Sequence, residues 1–122
     1  MQIAGMFFML IAGHALADFG FQTDSIAKGK NRRSGPPPQY DPKVHGPLQI
    51  TWVYYMGAHA LIHGLVVAAI TGDWRWGVCE TIMHGLIDTA KCENCFGIHT
   101  DQFLHLATKV VWAWAATGHR IF

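Results

Sequence analysis

The sequence predicts an all-α protein of about four membrane-embedded helices in a small bundle. Three observations carry this expectation. Only 14% of the 122 residues are charged and 51% are hydrophobic, whereas about a quarter of a soluble domain is usually charged. Four apolar stretches have the length of helices rather than strands. The polar residues inside them recur at every fourth position, not every second. The length suits one domain over residues 1–122. A mean hydropathy of +0.18 would also suit a water-soluble bundle with a greasy core, so the charge deficit and the patterning have to decide.

The first apolar stretch runs from about Gln2 to Phe21, close to the roughly 20 residues that span a bilayer. It has no basic leader and no small-residue cleavage site, so it reads as a retained helix rather than a signal peptide. A basic, proline-rich linker follows over about 28–47, including "GKNRRSGPPPQYDPK". Its triple proline cannot continue a helix. Lys28, Lys30, Arg32, Arg33 and Lys43 assign it to the cytoplasmic side by the positive-inside rule. Both termini and the "TGDW" turn then face outward. The second helix is expected from about Leu48 to Ile70, and the fourth from about Asp101 to Thr117. The third, about Trp74 to Ala90, is shorter and more polar and needs shielding by its neighbours. Trp74, Trp76, Trp112 and Trp114 are expected at the outer interface, and Trp52 and Tyr54 at the inner one. Cys79, Cys92 and Cys95 are an odd set, which argues against a disulfide framework. The Cys92/Cys95 pair alone falls short of a four-ligand zinc site, so free thiols are expected.

The ionisable residues share faces. His14 and Asp18, His59 and His63, Glu80 with His84 and Asp88, and Asp101 with His105 are each four apart. On a helix that spacing puts side chains on one face, about 6 Å apart along the axis. Each has a plain explanation alone: a buried histidine bonding a carbonyl, Asp101 favouring a helix dipole, or Lys109 snorkelling with its stem in lipid. Together they are harder to dismiss. Ionisable groups in membrane segments are costly and face the bundle interior, and facing helices can combine such groups into di-metal sites. The expected metal ligands are His14, Asp18, His59, His63, His84, Asp88 and His105, with a divalent ion such as Zn, Mn or Fe. Glu80 and Asp101 are the candidate general bases. Asp24 and Lys28 are expected to continue the first helix's polar side toward water. Lys28 and Lys91 would stand at the cavity mouth, where they could meet an anion. Matched depths put this cavity in the inner leaflet.

The stretches "HALADFGFQTDSIAKGK", "HALIHG", "HGLIDTAK" and "DQFLH" together resemble an uncharacterised family of small bacterial and phage membrane proteins, a domain of unknown function. The resemblance covers most of the chain apart from the proline linker and the C-terminal tail. It implies a short multi-pass protein of the bacterial inner membrane, chromosomal or phage-encoded, and brings no activity with it. A looser similarity links the pattern to membrane-bound proteins classed as metal-dependent hydrolases. Their usual N-terminal pattern is missing here, so no residue roles transfer.

Three functions compete. The first is a metal-dependent hydrolase acting on a lipid or phosphoester at the inner leaflet, because a bound divalent ion activates water and polarises the scissile group. The second is a haem-binding electron carrier using His59 with His84, or His63 with His105. The third is a non-enzymatic membrane protein (holin-like, exclusion or partner-binding) whose polar stripes hold helices together. Ser25 and Ser34 are the only serines, and neither lies in a nucleophile motif. Membrane lipid is the expected partner, a homo-oligomer is compatible with the chain's size, and a net charge of +1 gives no reason to expect nucleic acid.

Overall fold

The computed structural model describes residues 1–33, 40–47 and 51–118. All regular structure among them is helical: α1 (Ile3–Ala15), continued by a π-helical segment (Leu16–Phe21), α2 (Asp24–Gly29), α3 (Pro42–His45), α4 (Thr51–Thr71), α5 (Trp74–Cys92) and α6 (Ile98–Thr117). The four long helices are those expected from the sequence. Residues 48–50, expected to open the second helix, lie outside the described residues, as do the triple proline and His119.

Local chemistry sets the boundaries. The α4–α5 turn uses Gly72 at φ 72°, a left-handed conformation that glycine adopts freely. Asp73 then caps α5 by accepting a hydrogen bond from the Arg75 backbone N–H at 3.0 Å. Asn94 at φ 60° ends the turn after α5, and the Cys95 N–H bonds back to the Ala90 carbonyl at 3.0 Å. The first helix does not carry on through Asp24 and Lys28, which corrects the expectation that these residues extend its polar side. Gln22 and Thr23 are non-helical, and Thr23 instead caps the separate α2 through the Ile26 N–H. The linker is therefore not wholly extended: α2 covers its first two residues, and α3 lies within it.

The long helices form an up-down-up-down bundle. Antiparallel order follows from the contacts: Gly13 meets Val66 while Asp18 meets His63, Gly64 meets Gly77, His59 meets His84, and Glu80 meets Lys109 while His105 meets Asp88. The α4–α5 crossing is the tightest. A Cβ on Gly64 would stand 2.0 Å from Thr81 Oγ1 and 2.6 Å from the Gly77 carbonyl, so the two backbones touch there. Small residues permit such approach in membrane bundles.

Apolar and polar material are sorted along the bundle. Met6, Leu10, Val67, Trp76, Trp112, Ala113 and Ala115 form an apolar plug at the end carrying the α4–α5 turn. Trp76 and Trp112 lie in this plug with ring centroids 5.4 Å apart. Trp74 and Trp114 are exposed. The rest of the interior is largely ionisable: His59, His63, Glu80, His84, Asp88, Asp101, His105 and Lys109 are all buried, with Ala17, Met56, Ala60 and Ile87 as the apolar residues among them. The outside shows the reverse polarity, with Phe8, Leu65, Ile82, Leu86, Phe103 and Val110 exposed. Two helical segments, Ile3–Phe21 and Trp52–Thr71, are long and apolar enough to cross a membrane. α5 and α6 have the length, at about 1.5 Å per residue, but not the apolarity.

Candidate metal centre

The stripes converge on one centre. Asp18 comes from the π-helical segment, a widened turn of the kind that often marks functional sites. Its Oδ1 lies 3.1 Å from His63 Nε2 and 3.4 Å from His59 Nε2, and its Oδ2 lies 3.3 Å from His14 Nε2. On the α5 side, Asp88 Oδ1 lies 3.1 Å from His105 Nε2, and its Oδ2 lies 3.4 Å from His59 Nε2 and 3.6 Å from His84 Nε2. The His59 and His84 Nε2 atoms are 3.1 Å apart. The rings are also close: His63 stacks on His84 with centroids 3.6 Å apart, and His14 lies 5.0 Å from His105. All seven residues expected as ligands thus lie in one cluster built by four helices.

These donor atoms fit a cation better than they fit one another. Four ligands at 2.0–2.1 Å around a tetrahedral ion are separated by about 3.3–3.4 Å, close to the Asp18–His59, Asp18–His63 and His59–His84 separations of 3.4, 3.1 and 3.1 Å. Three overlapping groups meet the geometric requirement for a metal: Asp18 with His59, His63 and His84; His84 with Asp88 and His105; and His14 with His63, Glu80 and His84. Several buried ring nitrogens have no hydrogen-bond partner: Nδ1 of His14, His59 and His105, while His14 Nε2 and His84 Nδ1 have only a carboxylate oxygen nearby, at 3.3 and 3.5 Å. Native interiors satisfy such groups, and an imidazole lattice with orphaned nitrogens is a poor hydrogen-bond network. It is a reasonable donor set for a divalent transition ion. The haem reading fits the geometry badly. Two axial imidazoles on one iron need their nitrogens about 4 Å apart with a flat macrocycle between them, whereas the His59 and His84 nitrogens approach to 3.1 Å and ring stacking fills the space beside them.

The two expected bases behave differently from each other. Glu80 is fully buried, and both of its oxygens are engaged: Oε1 by Lys109 Nζ at 2.5 Å and Oε2 by Trp112 Nε1 at 2.6 Å. That suits a strut between α5 and α6 more than a free base. Glu80 still touches the centre, 3.5 Å from His84 Nδ1. Asp101 sits at the rim, buried, 3.6 Å from His105 and 3.4 Å from Lys91 Nζ, and it accepts a bond from Gln102 Nε2.

Two lysines escaped the sequence reading. Lys109 does not snorkel outward; it is 1% exposed and paired with Glu80. Its position completes the Asp101–His105–Lys109 series of fours, so the signal was present. Lys30, from the end of α2, reaches Asp88 Oδ2. Nothing in the basic linker distinguishes it from its solvated neighbours. Lys28, expected at the mouth, is exposed and makes no part of it. Lys91 does line the mouth, a cavity of about 370 Å³ shared with Gln22, Lys30, Asn31 and Cys92. Glu93 holds this end together: Arg32 and Arg33 both bind its carboxylate, the latter at 2.9 Å. The Arg32 guanidinium, with help from Arg33, keeps the Glu93 carboxyl down at about 2. Cys79, Cys92 and Cys95 are free thiols and join no metal-compatible group among the described residues. A second opening, an apolar groove of about 230 Å³ between α1 and α6, leads sideways to His14 and Lys109 past Ile11, Phe19 and Leu106.

No curated protein and no solved structure matches the chain. The expected resemblance to a domain of unknown function holds: the model of one such family, described as protein of unknown function (DUF3307), matches residues 6–120, nearly the whole chain. With its ordered His/Asp stripes folded into one buried centre, the chain belongs to this family.

Proposed function

We propose that this chain is a multi-pass protein of the bacterial inner membrane that binds a divalent metal and hydrolyses a lipid or phosphoester at the cytoplasmic leaflet. The observation that carries the reading is the buried cluster of His14, Asp18, His59, His63, His84, Asp88 and His105, with ring nitrogens left unpartnered. The inverted polarity of the bundle supports the membrane setting, because even α5 turns Ile82 and Leu86 outward and Glu80, His84 and Asp88 inward. Buried ionisable groups under an apolar exterior are what a bilayer-embedded site requires. The basic mouth formed by Lys30 and Lys91 faces the cytoplasm under the positive-inside rule.

A bound divalent ion would lower the pKa of a coordinated water and polarise the scissile group. The chain's own residues do the rest. Four helices hold the donors in place, the apolar plug seals the far end against water, and the side groove between α1 and α6 accepts an acyl or prenyl chain. Asp101, at the rim beside His105, is better placed than Glu80 to take a proton. The rival reading, polar stripes serving only as helix glue, accounts well for Glu80, Lys109 and Trp112, which satisfy one another. It does not account for the orphaned imidazole nitrogens.

The test is elemental analysis of protein purified in mild detergent, coupled to hydrolysis of phosphoester lipids and of a soluble aryl phosphate. Bound metal at one or more ions per chain and activity lost in His84→Ala are expected. Protein that folds with no metal and no activity after reconstitution with Zn, Mn and Fe would overturn the reading.

A further inference from the structure

The two aspartates divide their oxygens. Asp18 turns Oδ1 toward His59 and His63 and Oδ2 toward His14. Asp88 turns Oδ2 toward His59 and His84 and Oδ1 toward His105. A carboxylate serving one ion would not need a separate histidine on each oxygen. We propose that the centre holds two divalent cations bridged by Asp18 and Asp88. One position takes His59, His63 and His84; the other takes His14 and His105. This rests on the metal-binding reading above and specifies its stoichiometry and ligand partition.

Three features support the division. The first position is complete in itself, since Asp18, His59, His63 and His84 offer donor atoms within 4.8 Å of one another. That leaves His14 and His105 over, on the neighbouring helices α1 and α6 with ring centroids 5.0 Å apart. Each faces the oxygen of an aspartate that the first position does not use, at 3.3 and 3.1 Å. Finally, carboxylate-bridged ions sit about 3.5–4 Å apart, a separation two such bridges impose. The second position is the looser one: its two histidines fall in separate metal-compatible groups that meet at His84, its other donors are two carboxylate oxygens, and it lies beside the side groove through His14. It is therefore the position with room for water and for a substrate oxygen.

The charge balance identifies the ligand class. Two divalent cations against Asp18 and Asp88 leave a net +2, and Lys30 on Asp88 adds to it. Glu80 is already neutralised by Lys109. An oxyanion such as a phosphate monoester or diester completes the centre, bridging the two ions as such anions do in two-metal sites.

The experiment reconstitutes the full chain in detergent with Mn²⁺, then measures ions per chain and the paramagnetic resonance spectrum, with inorganic phosphate as the anion probe. Two Mn²⁺ per chain with an exchange-coupled spectrum that phosphate perturbs are expected. The double variant His14→Ala/His105→Ala should retain one ion and show an uncoupled spectrum. One ion per wild-type chain would overturn the two-ion proposal while leaving metal binding intact. No ion in folded protein would overturn both. Two ions without coupling, or two ions retained in the double variant, would place the second outside this centre and overturn the partition.

Discussion

Lys109→Met tests whether the Glu80–Lys109 pair is a strut, and the structure sets the size of the effect. Lys109 is 1% exposed and Glu80 fully buried, with the Glu80 carboxylate bound by Lys109 at 2.5 Å and by Trp112 at 2.6 Å. Removing the ammonium strands a carboxylate with one strong donor. Breaking a buried pair from one side costs about 3–5 kcal/mol. The surviving indole bond favours the lower end, about 3 kcal/mol. Glu80→Leu strands the ammonium instead and should cost about as much. The double variant Glu80→Leu/Lys109→Met removes both charges and should fall within about 1–2 kcal/mol of the parent, giving a coupling of roughly 4–5 kcal/mol. Reversible unfolding in mixed micelles reads this through tryptophan fluorescence, since Trp112 is itself a partner. Bound metal should be unchanged in Lys109→Met, because the ammonium binds Glu80 rather than one of the seven expected ligands. A loss below about 1 kcal/mol in Lys109→Met, or a double variant as unstable as the two singles summed, would refute the strut.

Other outcomes follow from the same geometry. His84→Ala and Asp88→Ala should each remove most bound metal, and the double variant should add little because ligands act as a unit; the exposed His45→Ala should leave elemental content unchanged. Gly64→Val should cost about 3 kcal/mol or more in unfolding experiments, beyond the usual 1–3 kcal/mol of overpacking, because its Cβ meets the Gly77 carbonyl backbone. Gly57→Ala, where nothing lies within 4 Å, should be neutral or slightly stabilising. The Glu93 clamp on Arg32 and Arg33 should contribute fully above the ordinary carboxylate range near 4.5 and be lost as pH falls toward about 2. Amide protection factors in α2, corrected for the intrinsic pH dependence of exchange, should fall across that window, and Glu93→Gln should show the lowered protection already at neutral pH.

The sequence by itself determined the four long helices and the stripes on them. A spacing of four on an α-helix fixes a common face whatever surrounds it, so His14 with Asp18 and His84 with Asp88 were legible as pairs. The family was legible for the same reason, since the ordered motifs survive without coordinates. Lys109 was readable in principle, as the next member of the Asp101–His105 series, but a lysine stem beside an apolar face suggests snorkelling until its partner is known. Only the tertiary structure decided the rest. Which oxygen of Asp18 or Asp88 meets which histidine depends on helix rotation and crossing, and that is set by contacts such as Gly64 against Gly77, far from the site in sequence. The break at Gln22–Thr23 sends α2 beneath the bundle and brings Lys30 to Asp88, a contact no periodicity encodes because the intervening linker has none. Trp112 is anchored in the plug for a similar reason: its indole N–H finds Glu80 Oε2, 32 positions away along the chain. Helical periodicity is a local property and can be read from neighbours. Register between helices is a property of the packed whole.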